Sequence, residues 1–140
     1  MANKDPVKLL QGVPLFSGCS KKELRAIAGA TKEVQHPAGS VIAREGESGV
    51  GFFLILDGTA RISIGGKTKR RLGPGDYFGE IALLDEGPRS ATVTADTDLR
   101  LLGLTAWNFR RLMAQNPSIG PKLLKVMGER LRESTKDVTH

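Results

Sequence analysis

The spacing of apolar and polar positions changes twice along the chain, and each change marks a change of element. Up to about residue 30 the spacing is helical. Asp5 can cap a first helix with Pro6 at its first position, where the missing N–H breaks no helical bond. Leu9, Leu10 and residues 13–16 supply apolar anchors. Ser20 and Glu23 stand three apart as a capping box for a second helix over residues 21–30, in which Leu24, Ile27 and Ala28 share a face. From Thr31 the period shortens, and turn residues divide the chain into strands at residues 32–36, 41–44, 51–56, 59–64, 68–72, 90–95 and 98–104. Residues 37–39 and 46–49 punctuate them, and Asp57-Gly58 and Gly65-Gly66 are two-residue hairpin signals. The run at 52–56 is continuously apolar, which predicts a strand covered on both faces. Evenly spaced short strands favour an antiparallel barrel or jelly roll. After Leu104 the helical period returns. Thr105 can cap a segment holding Trp107, Phe109, Leu112 and Met113, which Asn116 and Pro117 end. A last helix over residues 118–133 carries Ile119, Leu123, Met127 and Leu131 four apart, an amphipathic stripe flanked by Leu124 and Val126.

The fold class expected is therefore α+β: an antiparallel β-roll, jelly-roll-like, with N-terminal helices, a short internal helix and C-terminal helices. A length of 140 residues with 39% hydrophobic content suits one domain and one core. Its parts are helices over 1–30, the roll over 31–104 and helices over 105–135. Only 5% of residues are aromatic, so Leu, Ile and Val must fill most of that core.

Charge and rare residues narrow the function classes. The formal charge is +6, which attracts anions in general, although a solvated basic surface gives the same number. Lys67, Lys69, Arg70 and Arg71 cluster on one predicted hairpin, either to touch nucleic acid or to keep an edge strand from pairing with another chain. Cys19 is the only cysteine, so there is no internal disulfide and a reducing compartment fits. No apolar run approaches the roughly 20 residues that span a bilayer, and the first ten residues lack the apolar core of a signal peptide, so a cytoplasmic location is expected. His36, before Pro37, reads as a strand end and His140 as tail, and no Cys/His spacing suggests a metal site.

The candidate chemistry lies in residues 75–93, GDYFGEIALLDEGPRSATV. Gly73, Pro74 and Gly75 predict a sharp bend before Tyr77 and Phe78, and Gly79 permits a close backbone approach. Residues 80–84 make a short helix with Ile81, Leu83 and Leu84 available to a core. Its first-turn N–H groups, those of Ser90 and Ala91, and the guanidinium of Arg89 are the parts of an anion cradle. Glu80 is the discordant member, because a phosphate repels a carboxylate. A ribose hydroxyl would not, and a nucleotide of low charge presents both groups close together. The Gly-x-x-x-x-Gly-Lys-Ser/Thr loop of triphosphate sites is absent. The plainer alternatives are that Glu80 complements a helix start and that Arg89 is a solvated loop residue.

The run FGEIALLDEGPRSATV, residues 78–93, closely resembles the phosphate-binding cassette of cyclic-nucleotide-binding domains, F-G-E-x-A-L followed by P-R-x-A-T/V. The family includes regulatory subunits of cAMP-dependent protein kinase, the catabolite activator protein and gated channels. Residues 43–62 resemble its second motif, so the similarity covers most of the chain. The resemblance implies a ligand site made of Phe78, Gly79, Glu80, Ile81, Ala82, Arg89, Ser90 and Ala91, with Glu80 on the ribose 2′-hydroxyl, Arg89 on the cyclic phosphate and backbone N–H groups completing the cradle. Ala91 stands where cGMP-selective members tend to carry threonine, so cAMP is favoured and cGMP stays open, one missing hydrogen bond being worth about 1 kcal/mol. The Ser90 hydroxyl can add a bond to the phosphate. The terminal helix is implied to be a lid that relays the signal; packing or pairing with another subunit is the alternative, and Trp107 either packs or stacks on the base. The module implied is a regulatory sensor and not an enzyme. It has no catalytic residues, no metal and no cofactor beyond the nucleotide, and it acts on an effector domain or partner protein outside this chain. Nucleic acid is not expected as a direct partner. Two other readings compete: a nucleic-acid-binding regulator of the catabolite-activator type without its DNA-binding domain, and a docking domain that no longer binds nucleotide. An enzyme would need histidine ligands, a nucleophile–base pair or clustered carboxylates, which the sequence does not offer.

Overall fold

A computed structural model describes residues 5–47, 51–85 and 87–135, so the predicted turn residues 48 and 49 and the tail residue His140 lie outside the described residues. The chain falls into two compact units, one made of the residues up to Gly29 with those from Arg110 onward, the other of Ala30–Phe109.

The second unit is a jelly-roll-like sandwich of two antiparallel sheets rather than a closed barrel. Its strands are β1 (Lys32–His36), β2 (Val41–Ala43), β3 (Gly51–Asp57), β4 (Ala60–Ile64), β5 (Lys67–Leu72), β6 (Tyr77–Phe78), β7 (Thr92–Ala95) and β8 (Leu99–Thr105). One sheet runs β1-β8-β3-β6 and the other β2-β7-β4-β5. Ile55, Leu72, Phe78, Val93, Leu99 and Leu101 belong to the core cluster of this unit, with Val34, Phe53 and Ile62 packed against it. The apolar run of β3 is buried on both faces as its sequence implies, Phe53 alone of residues 51–56 being half-buried. His36 ends β1 opposite Leu99.

Two connections differ in consequence. Gly65-Gly66 closes the β4–β5 hairpin, both glycines having positive φ. Asp57-Gly58 does not close a hairpin, because β3 and β4 lie in different sheets. The register of β3 against β8 shifts between Ile55 and Asp57, and a bulge of this kind bends a strand. Asp57 then pairs with Arg100. Gly58, at φ 93, passes so close to β8 that a Cβ would lie 2.2 Å from the Asp98 carbonyl oxygen. The chain therefore crosses to the second sheet. There β5 is one of the two outer strands, with Lys67, Lys69, Arg70 and Arg71 exposed along it.

The first unit holds helix α1 (Pro6–Gln11), a 3-10 turn at Pro14–Phe16, helix α2 (Lys21–Ala30), the later part of helix α3 (Ala106–Gln115) and helix α4 (Ile119–Ser134). Asp5 caps α1 through a 3.0 Å bond from the Val7 N–H. The capping box forms: the Glu23 carboxylate accepts the Ser20 N–H at 2.7 Å and Ser20 Oγ accepts the Glu23 N–H at 3.2 Å. Glu23 also reaches the last helix, accepting from Lys122 Nζ at 2.5 Å and from the Ser118 hydroxyl. Among the described residues it is the one buried charged side chain. Only the first part of the α4 stripe is covered. Ile119 and Leu123 are buried, Val126 and Met127 half-buried, and Leu124 and Leu131 exposed. Trp107 is 66% exposed, contrary to the packed alternative, because α3 buries Ala106 and Phe109 and Trp107 falls off that stripe.

Hydrogen bonds from Lys122, Ser118 and Ser20 hold the Glu23 carboxyl down at about 2. An unfolded glutamate titrates near ~4.3, so this contribution is present above that pH and is lost as the pH falls toward the folded value. Urea unfolding of Glu23→Gln is expected to show a deficit of about 1–2 kcal/mol at neutral pH, from the lost cap and charged bonds. The deficit relative to the parent should narrow as both are acidified; a gap independent of pH would contradict this role.

Candidate functional site: the cassette cavity

The cassette is placed by a turn whose residues dictate its type. Gly73, Pro74, Gly75 and Asp76 form a turn closed by the Asp76 N–H on the Gly73 carbonyl at 2.9 Å, with Gly75 at φ 89, as a type II turn with proline second and glycine third requires. Asp76 Oδ2 also accepts the Gly73 N–H at 2.8 Å. The chain leaves this turn as β6, a two-residue strand that no sequence pattern announced, and pairs with β3 through Phe53–Phe78 and Leu54–Tyr77. The rings of Phe53 and Phe78 stack with centroids 5.3 Å apart.

Gly79 follows at φ 85. A Cβ at this position would lie 2.4 Å from the Gly51 carbonyl oxygen and 2.6 Å from Arg89 Nη1, so glycine is required by both conformation and space. Residues 80–83 then form a 3-10 turn, extended by bonds from the Leu84 and Asp85 N–H groups to the Ile81 carbonyl at 2.9 and 2.8 Å. In a 3-10 turn residues three apart eclipse. Ile81 and Leu84 therefore share an outer ridge, at 48% and 44% exposure, while Ala82 and Leu83 are buried. The expectation that Ile81 and Leu84 face a core is corrected, since the ridge they share turns outward, whereas Leu83 is buried as expected.

Arg89 is fixed at backbone and side chain. Its N–H donates to the Glu47 carbonyl at 2.7 Å and its own carbonyl accepts the Gly46 N–H at 2.8 Å. Its Nη2 donates to the Gly51 carbonyl at 2.7 Å. Burial pulls the guanidinium below its ordinary pKa, the direction expected of a partly desolvated cation. Among the described residues Arg89 forms no ion pair, whereas Arg61 and Arg71 are paired with Asp96, and Arg100 with Glu33 and Asp57. Strand β7 begins at Thr92, which leaves Ser90 exposed and Ala91 half-buried in the loop beside Arg89.

A cavity of about 330 Å³ joins these parts. Phe78, Gly79, Glu80, Ile81, Ala82, Arg89, Ser90 and Ala91 all line it, together with Asp85 and an apolar wall of Ala43, Ile62 and Val93 from the other sheet. The cavity thus offers one cation, acceptor carboxylates and apolar surface within the size of a small-ligand site. Trp107 does not line it.

The cyclic nucleotide-binding domain profile matches residues 33–116, which contain the whole cavity. The chain belongs to the cyclic nucleotide-binding domain family. It is 38% identical over 123 residues to a cyclic nucleotide-gated potassium channel of Mesorhizobium japonicum, covering 88% of this chain and 34% of the channel. It is 42% identical over 106 residues to the cAMP-dependent protein kinase regulatory subunit of Schizosaccharomyces pombe, covering 75% of this chain and 26% of the subunit. The chain thus spans about a third or less of these relatives. Among solved structures, the N-terminal domain of a transcriptional regulator from Streptomyces coelicolor superposes with a TM-score of 0.86 at 25% identity, covering 94% of this chain and 98% of that one. These relatives are named as channels, kinase regulatory subunits and transcriptional regulators.

All eight residues expected in the domain's site come together. What sequence reading missed is their support. Gly51, which accepts from Arg89 across 38 residues of sequence, was read only as the start of a buried strand. Ala43, Ile62 and Val93, the apolar wall of the cavity, were read only as strand residues, Val93 also as the end of the cassette pattern. A glycine heading an apolar run is the one local signal that could have singled out Gly51.

The double demand on Gly79 is separable. Gly75 has a similar φ of 89 with nothing within 4 Å of its missing Cβ. Gly75→Ala should lose only the strain of a left-handed residue, about 1–2 kcal/mol, and Gly79→Ala should lose more than that in the same denaturant titration. Equal losses would mean that the cassette yields to the methyl group.

Proposed function

We propose that the chain is a cyclic-nucleotide sensor module, with cAMP as its ligand, which passes binding on through its C-terminal helix. The observation that carries this reading is a half-buried arginine without an ion-pair partner among the described residues, held by a single carbonyl on the wall of a cavity that also contains Glu80. A guanidinium in that state gains most from an anion, because charge-assisted bonds to phosphate are roughly twice as strong as neutral ones. In this proposal the cyclic phosphate meets Arg89, the Ser90 hydroxyl and the backbone N–H groups of the cassette. Glu80 accepts from the ribose 2′-hydroxyl, and the base lies toward the apolar wall. Ala91 offers no hydroxyl to the guanine amino group, which favours cAMP.

Nothing in the proposal needs a metal, a further cofactor or a catalytic residue: the module acts in the cytoplasm on an effector domain or partner protein. No helix of the described residues is long and apolar enough to cross a membrane. The exposed 3-10 ridge of Ile81 and Leu84 is the part of the cassette free to change its contacts when the ligand enters. A ligand shifts such an equilibrium only by the difference in its affinity for the two states.

Titration calorimetry of refolded, nucleotide-free protein tests the reading. Saturable binding of cAMP is expected, with cGMP weaker by about fivefold for one lost hydrogen bond of about 1 kcal/mol. Arg89→Ala should weaken cAMP binding by about 100-fold or more, since it removes a charged hydrogen-bonding partner. Absence of heat with either nucleotide, in protein that unfolds cooperatively, would mean that the domain serves docking alone.

A further inference from the structure

The sandwich contains a second cavity on the other side of the Phe53–Phe78 pair. It measures about 300 Å³, and Lys32, Val34, Phe53, Gly103, Thr105 and Asn108 are among its lining residues. Its origin lies in the register of the sheet. Gly103 is opposite both Lys32 and Phe53, and Phe53 is opposite Phe78, so these four residues form one row across β1-β8-β3-β6. The glycine in that row leaves a gap which a side chain could not share, since a Cβ at Gly103 would lie 3.2 Å from the Phe53 ring. Phe78 lines the cassette cavity and Phe53 lines this one, so the stacked rings are the partition between them.

We infer that this cavity is a second ligand site, for a small aromatic monocarboxylate. Val34, Phe53 and Gly103 supply an apolar slot, and its volume stands at the lower end for small-molecule pockets, enough for a single-ring ligand and too little for a helix or a strand of another protein. Lys32 is the charged group at its rim. The neighbouring carboxylate on the same strand, Glu33, is engaged by Arg100, which leaves the Lys32 ammonium to complement a ligand carboxylate. Thr105 Oγ1 already accepts the Asn108 N–H at 3.0 Å, so the rim on that side is held in shape. The site stands whether or not the cassette takes a nucleotide, because it shares no lining residue with the cassette cavity.

The test is an NMR titration of the whole chain with phenylacetate and, separately, with its neutral analogue phenylacetamide. Saturable shifts are expected at Val34, Phe53 and Gly103 and, through the stacked pair, at Phe78. The amide should bind about fivefold more weakly, as a half-exposed charge pair contributes up to about 1 kcal/mol. Lys32→Met should make the two probes equal, and Val34→Phe should remove the Gly103 response by filling the slot. Shifts confined to the cassette residues 79–91, shifts that never saturate, or parent protein that binds the amide as tightly as the acid would each overturn the assignment. Lys32 is exposed on β1, so its variant keeps the test valid if Val34→Phe does not fold.

Discussion

The hydrogen bond from Arg89 to the Gly51 carbonyl is the contact on which the rest of the site depends. It joins the loop before β7 to the first residue of β3, and two glycines make room for it, one by letting β3 lie close to β8 and the other by leaving the path of the guanidinium clear. Gly51 lies so near β8 that a Cβ would fall 2.2 Å from the Leu104 carbonyl oxygen, and a Cβ on Gly79 would fall on Gly51 and Arg89 together. Three backbone segments thus converge around one guanidinium. A carbonyl satisfies part of its hydrogen-bonding capacity without neutralising it, and burial leaves the charge poorly solvated. The paired arginines of the same unit are neutralised by carboxylates, so a cation of this kind is a specific feature and not the general basic surface.

The sandwich around that contact is a rigid frame. β3 is flanked by β8 and β6, and its apolar residues are buried on both faces, so the Gly51 carbonyl is set by a core strand and not by a loop. The proline-glycine turn fixes where β6 starts, the Phe53–Phe78 stack fixes where it ends, and the tight turn of residues 80–83 follows from a strand that is already held. In the helical unit Glu23 plays a comparable part. A residue that closes a capping box on α2 also receives bonds from Ser118 and Lys122, tying that helix to α4. Ile119 and Leu123 beside this tie are buried, whereas Leu131, further along the same stripe of α4, is exposed.

Much of this was legible in the sequence, for reasons tied to particular residues. The Ser20–Glu23 spacing, Asp5-Pro6 and Gly65-Gly66 each carry a local geometry that tertiary context did not change. The cassette was legible because its residues are contiguous, and all eight line one cavity. What was not legible depended on distant partners or on period. Asp57-Gly58 looks like a hairpin until Arg100 and the bulge in β3 direct the chain to the other sheet. Ile81 and Leu84 look buried because they are apolar, but the single turn puts Ala82 and Leu83 against the core instead. Two residues of β6 are too short a run to show any alternation. Glu23 reads as a cap, and nothing in its neighbourhood announces Lys122, 99 positions away.

The central claim is that the Arg89 guanidinium meets the phosphate of a cyclic nucleotide. The most direct measurement is of its side-chain nitrogens by NMR, in nucleotide-free protein and at saturation with cAMP. The account predicts that the Arg89 Nη resonances move on saturation and acquire a through-hydrogen-bond coupling to the phosphorus nucleus. Arg89 resonances that stay unmoved, with no such coupling, while the protein is saturated with cAMP would contradict it.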